Sequence, residues 1–236
     1  MKFIQYKLPM DNREYIYYEC KLNLRNDLFI QEIIEASKQE ASRYNGKQAN
    51  KSDKRRSLRT LNSDVFVGLL TEYIWEYFLN KLIKVEGSSF VSRTNYNPKE
   101  EQIDLIIYNN HTIEVRSSNV RNGIPFGINN FDILGPYTNM YKPKEEFKSF
   151  YLRTLYTLTT EKILFDLQNG RPVSIYLMGG ATRSMMEDDK VIVYKDLKPN
   201  NDKEGYKSRY RCIPIKNGLD AKEIVLELRI LKASPE

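Results

Sequence analysis

Asp104, Glu114 and Arg116 are charged residues set among branched apolar ones, in the segment QIDLIIYNNHTIEVRSS, Gln102–Ser118. A carboxylate held on a strand between Ile and Val is costly unless it is paired or binds a metal. Two such carboxylates on neighbouring strands present hard oxygen ligands to a divalent cation such as Mg²⁺. Glu114 and Arg116 lie two residues apart, so on one strand they share a face. Whether Asp104 joins them depends on the turn. A two-residue turn at Asn109-Asn110 sets Asp104 opposite Val115 and puts the acids on opposite faces. A three-residue turn, Asn109-Asn110-His111, sets Tyr108 opposite Thr112 and Asp104 opposite Arg116. Glu114 is then the diagonal neighbour of Asp104 on the same face. Asn tolerates the left-handed backbone such a turn needs, so the odd register is expected.

The elements that must position these groups are legible in outline. Asp27–Asn45 carries the apolar spacing of an amphipathic helix. Asn62 or Ser63 can cap a second helix, VFVGLLTEYIWEYFLNKLIKV, which is apolar around most of its circumference and therefore largely buried. Its polar stripe is Gly68, Glu72, Glu76 and Asn80. Ser89–Tyr96, Gln102–Tyr108 and Thr112–Ser118 read as strands, and Glu145–Leu167 as a helix. Pro172–Met178 reads as a strand ending at Gly179-Gly180. Lys190–Tyr194 and Tyr210–Ile215 follow as strands and Leu219–Leu231 as a final helix. The expected class is α/β (α+β), with a mixed central β-sheet flanked by helices.

Composition sets the outer limits. The 236 residues are 41% hydrophobic and 29% charged, which suits one globular domain and excludes a rod or a disordered tail. No apolar run approaches a membrane span, and the first residues lack a signal peptide's apolar stretch, so a cytoplasmic protein is expected. Cys20 and Cys212 are too few for a structural zinc site, and the single histidine, His111, is expected at a turn. A net charge of +6 mildly favours a polyanionic partner.

These residues resemble the PD-(D/E)XK nuclease superfamily, which includes most type II restriction endonucleases. The resemblance rests on GLLTEY (Gly68–Tyr73) in the helix, on Ile103-Asp104, and on IEVRSS (Ile113–Ser118). It rests also on the order α-β-β-β-α-β, and it covers roughly residues 62–180 of a single domain spanning 1–236. Residues 1–61 form a helical and basic segment before this core, and 181–236 add strands and a helix after it. The resemblance implies a restriction-endonuclease-like core. It also implies that Asp104 and Glu114, with Glu72, hold one or two Mg²⁺ ions. Two departures stand out: no proline precedes Asp104, and Arg116 takes the place of the motif lysine. Arginine can clamp a phosphate but is too basic to shuttle a proton.

The function so implied is Mg²⁺-dependent hydrolysis of double-stranded DNA, by a type II restriction enzyme acting as a homodimer on a two-fold site. A nonspecific repair or phage-defence nuclease, an inactive DNA-binding relative and an unrelated α/β binding domain are the alternatives. Candidate DNA contacts are Ser117 and Ser118 after the motif, and Arg121, Asn122, Asn139 and Lys142 in the long segment Asn119–Lys148. Arg183 and the arginines Arg55 and Arg56, within the basic run Lys47–Arg59, complete the set, and Lys203–Arg211 is a further basic stretch.

Overall fold

The computed structural model describes residues 1–23, 28–43, 58–85, 88–93, 104–107, 110–139, 144–197 and 208–233. A hairpin of β1 (Lys2–Pro9) and β2 (Glu14–Leu22) precedes helices α1 (Leu28–Arg43) and α2 (Leu58–Leu82). Then come β3 (Val91–Arg93), β4 (Leu105–Ile107), β5 (His111–Asn119), α3 (Ile124–Asn130) and β6 (Asp132–Thr138). Next are β7 (Phe150–Tyr156), α4 (Thr160–Gln168), β8 (Val173–Thr182) and α5 (Arg183–Glu187). The chain continues through β9 (Val193–Leu197), β10 (Ser208–Pro214), β11 (Leu219–Asp220) and α6 (Ala221–Ala233).

The main sheet runs in the order β1-β2-β8-β7-β5-β4-β3, with β11 also paired to β8. Among the described strands β5 and β7 pair in parallel and the other neighbours are antiparallel, so the sheet is mixed. The strands β6, β10 and β9 form a second, antiparallel sheet. Each face of the main sheet has its own core. On one face Leu105, Ile113 and Leu152 pack against α1, α2, α4 and α6. On the other, Tyr151 and Leu155 pack against α3 (Ile128), β6 (Ile133), α5 (Met186) and β10 (Ile213). Alternation along β5 therefore sends Ile113 to the helices and Glu114 to the second sheet. The fold is mixed α/β, a central mixed sheet flanked by helices, and no helix among the described residues is long and apolar enough to cross a membrane.

Several expectations change. Glu145–Leu167 is not one helix: it divides into β7 and α4. All seven residues of β7 are buried, because it lies between two strands with a core on each face. The segment Asn119–Lys148 contains α3 and β6 rather than a continuous loop. The hairpin β1–β2 has no counterpart in the expected order. Helix α2 begins at Leu58, so Ser63 is not its cap; the hydroxyl donates to the Thr60 carbonyl within the helix (2.9 Å). Against the sheet, Trp75 of α2 is fully buried and donates its indole N–H to Thr154 of β7 (2.8 Å). Helix α6 starts with a reciprocal cap. Asp220 accepts from the Glu223 N–H (2.9 Å) and Glu223 accepts from the Asp220 N–H (2.7 Å).

The glycine pair lies within β8 instead of ending it. A Cβ on Gly180 would collide with the Tyr151 carbonyl oxygen of β7. At Gly179, φ is +121° and a Cβ would meet the Leu219 carbonyl oxygen of β11. Gly180→Ala is expected to destabilise by about 2–4 kcal/mol, lowering the melting temperature by roughly 5–15 °C. Gly68→Ala should do the opposite, gaining about 0.5–1 kcal/mol, because nothing lies within 4 Å of its would-be Cβ. Thermal melts followed by circular dichroism measure both.

Candidate active site

The turn between β4 and β5 decides the site. The strands pair Ile107 with His111 and Leu105 with Ile113, so three residues, 108–110, connect them. Asn110 is left-handed, at φ 61°. His111 begins β5, rather than ending the turn, and its Nδ1 lies 3.3 Å from Ser149 Oγ. The connection is odd, as expected, but placed one residue earlier. Extended by one pair, the register sets Asp104 directly across from Glu114, not across from Arg116. Both carboxylates still share a face, the one turned to the second sheet. Asp104 also closes the ladder. At the end of β4 the Val115 N–H donates to the side chain, Asp104 Oδ2 (2.6 Å).

Glu114 is only 8% exposed. Its Oε1 is ion-paired with Arg116 Nη2, while Oε2 has no hydrogen-bond partner among the described residues. Burial raises the Glu114 carboxyl above its usual range, against the pull of Arg116. Burial and the adjoining Glu114 push Asp104 up to about 7, against the Val115 N–H and the charges of Arg116 and Lys148. For Arg116, burial works against the charge. Glu114, Tyr210, Glu145 and Asp104 outweigh it, so the guanidinium is held more firmly protonated than usual. Its plane also approaches the Tyr210 ring, 5.8 Å from the centroid.

Lys148 belongs to this cluster and is missing from the sequence-level set of candidate residues. It is 4% exposed, and its ammonium acts on both acids. Its backbone N–H donates to Tyr151 Oη (2.8 Å). Forty-four positions separate Lys148 from Asp104 in sequence, and only the parallel β5–β7 pairing brings them together. The sequence signal was a lysine set close to aromatic residues, Phe147, Phe150 and Tyr151. Glu145 is the nearby third acid, and its Oε2 accepts from the Tyr137 N–H (2.8 Å). On β7, Arg153 stands beside Arg116. Burial, then the Arg116 charge, lower its pKa to about 10.

Glu72 does not join the acid pair. Arg93 faces Leu105, whose own partner Ile113 points to the helices, so α2 approaches the opposite side of the sheet from Glu114. The polar stripe of α2 serves the edge strand β3 instead. Glu72 pairs with Arg93 Nη1 (3.4 Å) and Glu76 accepts the Arg93 N–H (3.3 Å). The Asn80 amide both donates to and accepts from the Val91 backbone (2.8 Å each way).

The remaining candidates are scattered. Ser117 faces the helices, near enough to Tyr156 to favour its ionised form against burial. Ser118 faces the acids' side and accepts from Arg153 Nη2 (2.7 Å). Arg121 and Asn122 are exposed in the turn before α3. Asn139 donates to Ser208 Oγ (3.1 Å), and exposed Arg183 pairs with Glu187 (2.8 Å). Arg55, Arg56 and Lys142 lie outside the described residues, as do most of the basic run Lys47–Arg59 and residues 203–207 of the later one. Among the described residues, no three His, Cys, Asp or Glu side chains converge as a metal site.

What emerges is an α/β protein with two facing carboxyls and buried cations beside them, on the sheet face opposite its long helices. The chain matches no protein-family model, no curated protein and no solved structure.

Proposed function

We propose that the chain is a Mg²⁺-dependent endonuclease of double-stranded DNA with a restriction-endonuclease-like core. Within that class the reading is a sequence-specific type II enzyme acting as a homodimer. The observation that carries the reading is the Asp104–Glu114 pair, two acids facing each other across β4 and β5 with Glu114 Oε2 unpartnered. Asp104 and Glu114 would hold Mg²⁺, an ion that binds through one or two protein carboxylates together with substrate phosphates. A third protein carboxylate is therefore not required. When bound, the ion neutralises phosphate charge and acidifies water.

The chain's own groups do the rest. Arg116 stays cationic throughout and can hold a phosphate oxygen, while its ion pair with Glu114 fixes its direction. Lys148 adds a compact positive charge toward the same acids, in a place where water does not screen it. Asp104, pushed up to about 7, takes a proton near neutrality when no cation offsets Glu114. The order α2-β3-β4-β5 and the basic balance of +6 are consistent with a nuclease that holds a polyanion.

Phage genomic DNA incubated with the purified protein, with and without Mg²⁺, tests this. Discrete fragments that require Mg²⁺ are expected. A smear would replace the restriction reading with a nonspecific nuclease. Intact DNA that is nevertheless bound would make the chain an inactive relative, with Arg116 holding Glu114 away from a metal.

A further inference from the structure

Arg153 is 3% exposed, and no carboxylate among the described residues is ion-paired with it. Asp132 of the second sheet, whose charge acts on Arg153, is itself tied to Lys195 (2.6 Å). One guanidinium nitrogen of Arg153 donates to Ser118 Oγ (2.7 Å). Its Nε and Nη1 have no hydrogen-bond partner among the described residues, and neither does Arg116 Nε. Arginine carries five N–H donors and keeps its charge in proteins. A buried one without a counter-charge is among the more costly groups a core can hold.

Placement gives these donors a common target. Arg116 and Arg153 are direct neighbours on the parallel ladder of β5 and β7, on one face, with Ser118 next along β5. Like charges set side by side repel, and Glu114 offsets only Arg116. The Arg116 side chain keeps 28% of its surface exposed, so it is the more accessible of the two arginines. Two planar forks and a hydroxyl match the tetrahedral oxygens of phosphate, which guanidinium binds in paired hydrogen bonds.

We infer that Arg153, Arg116 and Ser118 form a phosphate-binding subsite beside the Asp104–Glu114 pair. Its ligand is a phosphate group, either in a nucleic-acid backbone or free. The subsite stands without metal and without cleavage; only the assignment of its phosphate to duplex DNA rests on the nuclease reading.

The test uses the full chain in EDTA at constant ionic strength. Thermal melts and calorimetric titration follow inorganic phosphate, with chloride as reference. Phosphate should raise the melting temperature saturably. Arg153→Met should weaken phosphate at least tenfold, and Arg153→Lys should recover part of that loss. In chloride, Arg153→Met should melt at or above the unmodified protein, because an apolar side chain replaces an unpaired buried charge. No phosphate response in the unmodified chain, or an equal response in Arg153→Met, overturns the subsite. If Arg153→Met does not fold, Ser118→Ala carries the test. A several-fold weaker phosphate affinity supports the subsite, and an unchanged one overturns it.

A mononucleotide and a short duplex, used as competitors, separate the sources. Displacement by duplex assigns the site to backbone phosphate, and displacement by mononucleotide alone assigns it to a free ligand. Absent cleavage with phosphate binding intact retires the nuclease reading and keeps the subsite. Cleavage without a phosphate response does the reverse.

Discussion

Glu114→Gln is expected to lower Mg²⁺-dependent DNA cleavage about a thousandfold, whereas Glu72→Gln leaves it within about twofold. The sequence pattern alone places both residues in one site, so the contrast tests the sheet geometry. Gln keeps the shape of Glu114 but removes its charge, and with it half of the carboxylate pair available to a cation. A thousandfold loss corresponds to about 4 kcal/mol of transition-state stabilisation, in the range a divalent cation supplies. Glu72 is on the other side of the main sheet, paired with Arg93. Its replacement should lower the melting temperature by a few degrees and spare the chemistry. Rates on a plasmid at saturating Mg²⁺, read beside thermal melts, separate loss of function from loss of fold. Equal loss of cutting in both variants would mean that α2 contributes to the site after all.

The second large effect is on stability against pH in metal-free protein. Asp104 titrates at about 7 when folded and near 3.9 when unfolded. Between those values the folded chain holds a proton that the unfolded chain has released. The stabilisation is therefore complete below about pH 4, declines as pH rises, and is gone above about 7. At most, this contributes about 4 kcal/mol across the window, since each pH unit is worth about 1.4 kcal/mol. Asp104→Asn keeps an oxygen for the Val115 N–H and removes the titration. Denaturant melts in EDTA should show the unmodified protein losing stability relative to Asp104→Asn from pH 5 to pH 8. Mg²⁺ should then stabilise the unmodified protein more at pH 8 than at pH 5.5, and Asp104→Asn hardly at all. Parallel pH curves for the two proteins would refute the buried acid pair, and an equal Mg²⁺ response would refute its role in holding metal.

Local chemistry was readable where a side chain depended on its neighbours in sequence. The shared face of Asp104 and Glu114 followed from the parity of a turn containing Asn110, and the burial of α2 followed from its apolar circumference. The exact register did not follow, because turns of equal length can start one residue apart. FYLRTLY, Phe150–Tyr156, has no alternation, since both of its faces are buried, and beside TEKILFDL it reads as one continuous helix. Whether a strand lies at an edge or in the centre is a property of the sheet, not of the segment. The same reason hid Lys148, whose carboxylate neighbours come from strands far away in sequence, and misplaced Glu72. A helix shows which of its faces is polar, but not which side of a sheet it will cover.

Among the described strands, the hairpin β1–β2 joins the main sheet through β8, with Leu22 opposite Val173. During synthesis β8 therefore emerges about 150 residues after β2, roughly 8–30 s later at ordinary translation rates. Throughout that interval the β2 edge that β8 covers has no strand to pair with, and Tyr15, whose hydroxyl donates to the Met178 carbonyl (2.8 Å), lacks its partner. Strand β2 is thus made long before the strand it pairs with. A nascent chain stalled before Val173 would present a hairpin with the β2 edge open, and this is the edge a holdase chaperone would have to cover.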